Sequence, residues 1–136
     1  MGRQREDRLS DSVSKPTVAI IGASRDRGKY GNISLRAHRD AGYEVFPINP
    51  SAGEIEGIPA YRSLADLPGQ LVDRVSLYVP PEIGVELLLE IAAVLPTEVW
   101  LNPGSESDAL IEKAQSLGLP IVVGCSIVDV KLRPPR

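Results

Sequence analysis

The apolar run Thr17-Val18-Ala19-Ile20-Ile21 stops at Gly22, gives way to a polar loop and a helical stretch ending near Gly42, and is followed by a second apolar run, Val45-Phe46-Pro47-Ile48. A strand, a glycine turn, a helix and a strand in that order form a right-handed crossover, which sets the two strands side by side and parallel. The strands are short and continuously apolar, as expected where helices cover both faces of a sheet. This unit predicts an α/β fold of the doubly wound, Rossmann-like kind.

The rhythm continues to the end of the chain. The first helix is expected from about Asn32 to Ala41, with Gly42 as a left-handed cap. Glu44–Ile48 forms the second strand. The stretch from Ser51 to Pro59 is turn-rich, Ile58–Tyr61 is extended, and Ser63 caps a short helix that ends before Pro68. Arg74–Val79 is a third strand halted by Pro80-Pro81, and a helix over Glu82–Val94 turns Ile83, Leu87, Leu88 and Ile91 toward the sheet. Glu98–Leu101, a helix over Asp108–Leu117 capped by Gly118, and Ile121–Val123 complete a five-stranded parallel sheet. The expected organisation is one domain over residues 16–130, a flexible tail over 1–15 and a loose end over 131–136.

The chain's 136 residues suit a single core. Its net charge is -3, and Arg25, Arg27 and Lys29 against Asp26 give the first loop +2, so the remainder carries -5. A basic spot in an acidic chain suits a small anionic ligand and argues against nucleic acid. No apolar run approaches the ~18–20 residues of a membrane span. The polar N-terminus is unlike a signal peptide, and the lone Cys125 rules out an internal disulfide. These features point to a cytoplasmic protein. Self-association is left open.

In an open parallel sheet, ligands bind outside the carboxyl ends of the strands. The first such loop carries Gly22, Ala23, Ser24 and Arg25, then Lys29. Gly22 lets the backbone turn sharply and approach a ligand, and the following helix N-terminus adds unpaired N–H groups and partial positive charge. Arg25 and Lys29 can add charge-assisted bonds to phosphate. The loop matches neither standard phosphate fingerprint, because Ser24 stands where a second glycine belongs and no Gly-Lys-Ser/Thr follows. The second strand ends in Asn49, Pro50 and Ser51, where a nicotinamide site usually places an acid for the ribose hydroxyls. Asn49 can donate to a ribose or phosphate oxygen, or simply form a turn before Pro50.

Val79, Pro80 and Pro81 form a rigid apolar shelf, and Asn102, Gly104 and Ser105 offer a further loop entering a helix. Either Ser105 or Ser107 serves as that helix's N-cap. His38 falls inside the first helix and is read as a partly exposed residue rather than a catalytic base. Cys125 is read as a small buried thiol and Trp100 as packed core. With one His and one Cys no zinc cluster can form.

The strings Val18–Ser24, Lys29–Asn32 and Ala41–Pro50, continued by Tyr61–Pro68, Val79–Pro81 and Trp100–Gly104, resemble the small bacterial CoA-binding domain family. That family is related to the CoA-binding part of the succinyl-CoA synthetase alpha subunit. The resemblance implies coenzyme A or an acyl-CoA lying across the strand ends. Its phosphates would sit on Gly22–Arg25, its nucleotide beside Asn49–Ser51 and Val79–Pro81, and Asn102–Glu106 on the far side. Many relatives carry Asp-Arg-Cys near the last strand and a His after it; here the stretch is Val123-Gly124-Cys125. The synthetase's phosphorylated histidine has no counterpart. The expected function is therefore a CoA-binding module, non-catalytic on its own. The alternatives are a nucleotide-dependent enzyme or acyl-CoA ligase subunit, and a nucleotide-sensing regulatory protein.

Overall fold

The computed structural model describes residues 15–135 apart from 68 and 70. Residues 1–14 of the expected tail over 1–15, the helix stop at Pro68 and the terminal Arg136 lie outside the described residues. In chain order the elements are β1 (Thr17–Ile21), α1 (Tyr30–Ala41), β2 (Glu44–Ile48), a hairpin of β3 (Glu54–Ile55) and β4 (Ile58–Pro59), and a 3-10 turn (Leu64–Asp66). There follow β5 (Arg74–Leu77), α2 (Pro81–Glu86), α3 (Leu88–Ala93), β6 (Glu98–Leu101), α4 (Asp108–Ser116), β7 (Ile121–Val123) and α5 (Ser126–Leu132).

The main sheet has five strands in the order β2-β1-β5-β6-β7, and every neighbouring pair is parallel. The strand order reverses between β1 and β5, which opens a crevice at their carboxyl ends. The fold is thus the expected Rossmann-like α/β sheet.

Register decides what each face carries. Ala19, Val75 and Val99 stand in one row, and Ile21, Leu77 and Leu101 in the next. These rows pack on Leu88 and Ile91 of α3 and on Leu110 and Ala114 of α4. The opposite face pairs Val18 with Arg74 and Glu98, and Ile20 with Ser76 and Trp100. Its apolar part meets Leu35 of α1. Its polar part meets α1 and α5, and that contact explains a correction. His38, expected to be partly exposed, is 0% exposed, because its place on α1 faces the buried Arg74.

Helix limits follow from local chemistry. Gly42 ends α1 at φ 109°, and its N–H donates to the Arg39 carbonyl at 3.1 Å. Pro81 opens α2 at a position where a missing N–H costs nothing. The single helix expected over Glu82–Val94 is two short ones meeting at Leu87. Leu88 and Ile91 are buried as expected, whereas Ile83 is 48% exposed. The 3-10 turn receives no side-chain bond from Ser63. At the C-terminus, α5 runs to Leu132, and Arg133 pairs with Asp129 through a 2.8 Å bond from Nε. The chain past residue 130 is therefore helical at first and anchored at Arg133, where the sequence predicted a loose end.

Candidate functional site

Three adjoining hollows occupy the carboxyl ends of β1, β2, β5 and β6. The central one is a polar groove of about 500 Å³ over the first-loop turn, touching Gly22, Lys29, Gly31, Val79, Pro80 and Gly104. On the β2 side lies an apolar cleft of about 160 Å³, walled by Ile21, Ile48, Leu64, Val79, Ile83 and Leu87. Gly22 and Val79 belong to both. On the β6 side lies a recess, also about 160 Å³, lined by Tyr30, Tyr78, Asn102, Pro103, Cys125 and Ile127. Tyr30, Tyr78 and Pro103 join it to the groove.

Two glycines make the groove possible. Gly22 has φ 91°, and a Cβ there would stand 2.9 Å from the Tyr78 carbonyl oxygen. Gly31, in the first turn of α1, approaches so closely that an added Cβ would lie 2.1 Å from the Gly22 carbonyl oxygen. Gly31 thus supplies the tight strand–helix packing for which Rossmann turns use their last glycine. The intervening loop hid this role in the sequence, although a glycine at the start of a helix was itself a signal. Among the described residues, the N–H groups of Tyr30 and Gly31 have no acceptor, so the start of α1 presents them toward the groove side.

The loop between the glycines holds itself closed. The Asp26 N–H donates to Ser24 Oγ (3.0 Å), and Asp26 Oδ1 accepts from Gly28 N (2.9 Å). Asn32 Nδ2 donates to the Ser24 carbonyl (2.8 Å) and to Glu56 Oε2 (3.1 Å). The β3–β4 hairpin clamps the loop from outside. Its turn residues Glu56 and Gly57 both have positive φ, which allows a two-residue connection. Arg25 Nε donates to the Glu54 carbonyl (3.0 Å), and Arg27 pairs with Glu56 at 3.3 Å. The bond from Asn32, helped by neighbouring arginines, holds the Glu56 carboxyl below its ordinary pKa. Of the loop's three cations, Lys29 is the one lining the groove.

The other predicted residues divide in the same way. Asn49 and Pro50 line the apolar cleft. The Asn49 side chain is already engaged: Nδ2 donates to the Ala23 carbonyl (2.8 Å), while Oδ1 accepts from Ser51 N (2.8 Å) and Ala52 N (3.1 Å). Asn49 therefore shapes the turn, and Ser51 and Ala23 are its partners. Val79 and Pro80 line the groove, whereas Pro81 faces a separate hollow between α2 and α4.

Ser105 lines the groove, but its hydroxyl donates to the Leu77 carbonyl (3.1 Å) and its N–H to the Asn102 carbonyl (2.8 Å). Gly104 N donates to Glu106 Oε1 at 2.9 Å. Ser107 is the N-cap of α4, its hydroxyl accepting from Leu110 N.

Beneath the recess runs a buried polar chain that sequence reading missed. Ser126 Oγ lies 2.7 Å from Ser76 Oγ, 2.9 Å from Tyr78 OH and 3.1 Å from Asn102 Oδ1. Asn102 Nδ2 donates to Ser76 Oγ and to the Leu77 carbonyl, both at 2.8 Å. Burial raises the Tyr78 pKa, so its hydroxyl stays protonated at neutral pH. Cys125 is half-buried at the recess rather than enclosed.

A family described as the CoA binding domain matches residues 16–131. The chain belongs to the CoA-binding domain family. An ADP-forming acetate–CoA ligase of Methanocaldococcus jannaschii is 38% identical over 79 residues, covering 57% of this chain and 11% of the ligase. The alpha subunit of ADP-forming acetate–CoA ligase II of Pyrococcus furiosus is 29% identical over 116 residues, covering 77% of this chain and 25% of that subunit. The chain thus spans only a small part of either relative. A hypothetical protein from Pyrococcus horikoshii OT3 has a structure that superimposes with a TM-score of 0.80 at 25% identity, over 95% of this chain and 98% of that one.

Among the described residues, no helix is long and apolar enough to cross a membrane, and no cluster of His, Cys, Asp or Glu could hold a metal ion.

Proposed function

We propose that this domain, over residues 16–130, binds coenzyme A or an acyl-CoA and performs no chemistry on its own. One observation carries the reading: an apolar cleft, a polar groove and a second apolar recess adjoin in that order across Gly22. Coenzyme A has the same order of parts, a flat ring with its ribose, a diphosphate, and a thiol-ended arm. The diphosphate takes the groove, against the Gly22 turn, the N–H groups opening α1 and the Lys29 ammonium. The ring enters the cleft beside Asn49 and Pro50, on the side where sheets of this kind place the nucleoside. The arm passes Tyr78 and Gly104 toward the recess.

The absence of chemistry fits the placement of the single histidine, which is buried at the opposite end of the sheet. Ala23, Ser24 and Ser51 act by holding the turns, and Arg25 by securing the loop to the hairpin.

Titration calorimetry with CoA, ADP, NAD and NADP tests the reading. CoA is expected to bind tightest, and a preference for NAD overturns the assignment. Lys29→Ala should weaken CoA binding by about 1.5–3 kcal/mol, the range for a hydrogen bond to a charged group.

A second reading has its own support. The matched ligases are much longer than this chain, so the domain can serve as one component of an acyl-CoA ligase whose remaining parts lie on another chain. Co-purification of such a chain from native cells would favour it.

A further inference from the structure

The cleft on the β2 side is apolar on its walls but not at its rim. Arg62 and Ser63 border it from the segment after β4, and Glu90 borders it from α3. Arg62 is the one basic residue lining the cleft, and it is exposed. Among the described residues, no ion pair or side-chain hydrogen bond engages its guanidinium. The contrast with the first loop is direct, because Arg25 and Arg27 are both bound to the hairpin.

The groups nearest the ribose position are uncharged and already bonded within the protein. Both polar atoms of the Asn49 amide are engaged within the protein, and Ser51 Oγ contacts Asn49 Oδ1 at 3.3 Å. The end of β2 also carries no acid. A carboxylate there would select free ribose hydroxyls and repel a phosphate on the sugar. An uncommitted guanidinium at the rim does the reverse, since its planar fork matches a phosphate monoester. Charge within the cleft leaves the phosphate one place to sit. Glu90 excludes it from the α3 side, so it must lie on the Arg62–Ser63 side.

We infer that Arg62 is a specificity-determining residue that binds a phosphate monoester on the ribose of the ligand, so that the cleft selects a ribose-phosphorylated adenine nucleotide over its dephosphorylated form. The inference rests on the CoA reading above and adds to it the residue that discriminates. Ser63, adjacent at the same rim, offers a hydroxyl to the same group.

The test is calorimetry of the full chain with CoA and dephospho-CoA, and with 3′,5′-ADP and 5′-ADP as fragments lacking the arm. The wild type should bind each phosphorylated ligand about ten- to a hundredfold more tightly than its partner, the ratio expected of a charge-assisted contact. Arg62→Ala should erase that ratio, with the loss of affinity falling mainly on the phosphorylated ligand of each pair. Arg62→Lys should retain part of it, and Glu90→Gln should widen it. Arg62 is exposed, so none of its variants should alter folding; thermal melts confirm this. A wild type that does not discriminate, or an Arg62→Ala variant that still does, overturns the inference while CoA binding stands. An equal loss for both ligands overturns it too, by placing Arg62 elsewhere on the ligand. A wild type that binds neither CoA nor dephospho-CoA overturns the CoA reading and this one with it.

Discussion

The two ends of the sheet are both polar, yet they use polarity in opposite ways. At the amino end, Arg74 is 5% exposed and pairs with Glu98 (2.9 Å) and Asp129 (2.7 Å). Its guanidinium lies between the rings of Tyr43 and Trp100, 5.4 and 5.1 Å from their centroids. It also donates to His38 Nε2 (3.3 Å), which assigns the proton of the neutral imidazole to Nδ1, the atom 2.9 Å from the Ser34 carbonyl. Trp100 Nε1 donates to Glu98 Oε1 at 2.7 Å. Each charge there has a partner within the protein.

At the carboxyl end the first-turn amides of α1 and the Lys29 ammonium face a groove large enough for a ligand. A fully satisfied polar cluster fixes geometry, whereas unpaired amides at a helix start keep bonding capacity for an anion. Helix α5 joins the two ends, with Ser126 bonded beneath the recess and Asp129 bonded to Arg74.

The largest expected effect comes from breaking the closed end. Arg74→Ala removes one of the two arginines paired with the mostly buried Asp129 carboxylate, leaving Arg133, strips Glu98 of its partner and opens a hole between two rings. The expected loss of stability is about 3–5 kcal/mol, the usual result of removing one member of a buried pair. Urea denaturation measures it, and a loss below about 1 kcal/mol would show that the cluster is not a structural pin.

A smaller effect follows from pH. Burial, opposed by the bond to Ser34 and assisted by the Arg74 charge, lowers the His38 pKa to about 4 from 6.5. The unfolded chain therefore takes up this proton first as pH falls. The stability contribution is intact above pH 6.5 and is lost progressively between 6.5 and about 4. At pH 5 the loss should be roughly 2 kcal/mol, from 1.36 kcal/mol per pKa unit. His38→Gln should flatten that limb of the stability profile, and an unchanged limb would assign it to other groups.

Asp129 titrates in a different window. Burial alone would raise its pKa, but bonds from Arg133 and Arg74 outweigh this and hold it below 3.8. Its share is present above pH 3.8 and disappears only below it.

The open end was more legible in the sequence than the closed one, for a physical reason. Gly22, the helix start and the strand ends are features of local backbone, and local backbone is written in neighbouring residues. The family resemblance added their order. The closed end depends on register, which pairs residues far apart in sequence. Arg74-Val75-Ser76-Leu77 and Glu98-Val99-Trp100-Leu101 each place a polar or hydrogen-bonding group at alternate positions. Reading them as uniformly apolar missed the polar face, and with it the burial of His38 and the existence of α5. The roles of Arg25 and Lys29 were not separable in the sequence, because the hairpin that takes Arg25 lies 29 residues further along. Gly31 was visible as a helix-start glycine, but its contact with the Gly22 carbonyl required the folded turn.

The smallest expected effect tests what the open end does with its missing acid. Asn49→Asp places a carboxylate where a nicotinamide site would have one. It should not create such a site, because the Asn49 amide is part of the turn. Nδ2 donates to the Ala23 carbonyl at 2.8 Å, and in the variant an oxygen would face that oxygen. The Oδ1 bonds from Ser51 N and Ala52 N survive in an aspartate and strengthen with its charge. Only one bond is lost, so the net cost should be about 1 kcal/mol, read from the shift in the urea midpoint. Affinity for NAD should stay flat while affinity for CoA falls, since the new charge faces the cleft and lies beside the groove. A gain in NAD affinity would mean that the residue at the end of β2, rather than the wider cleft, sets the choice of ligand.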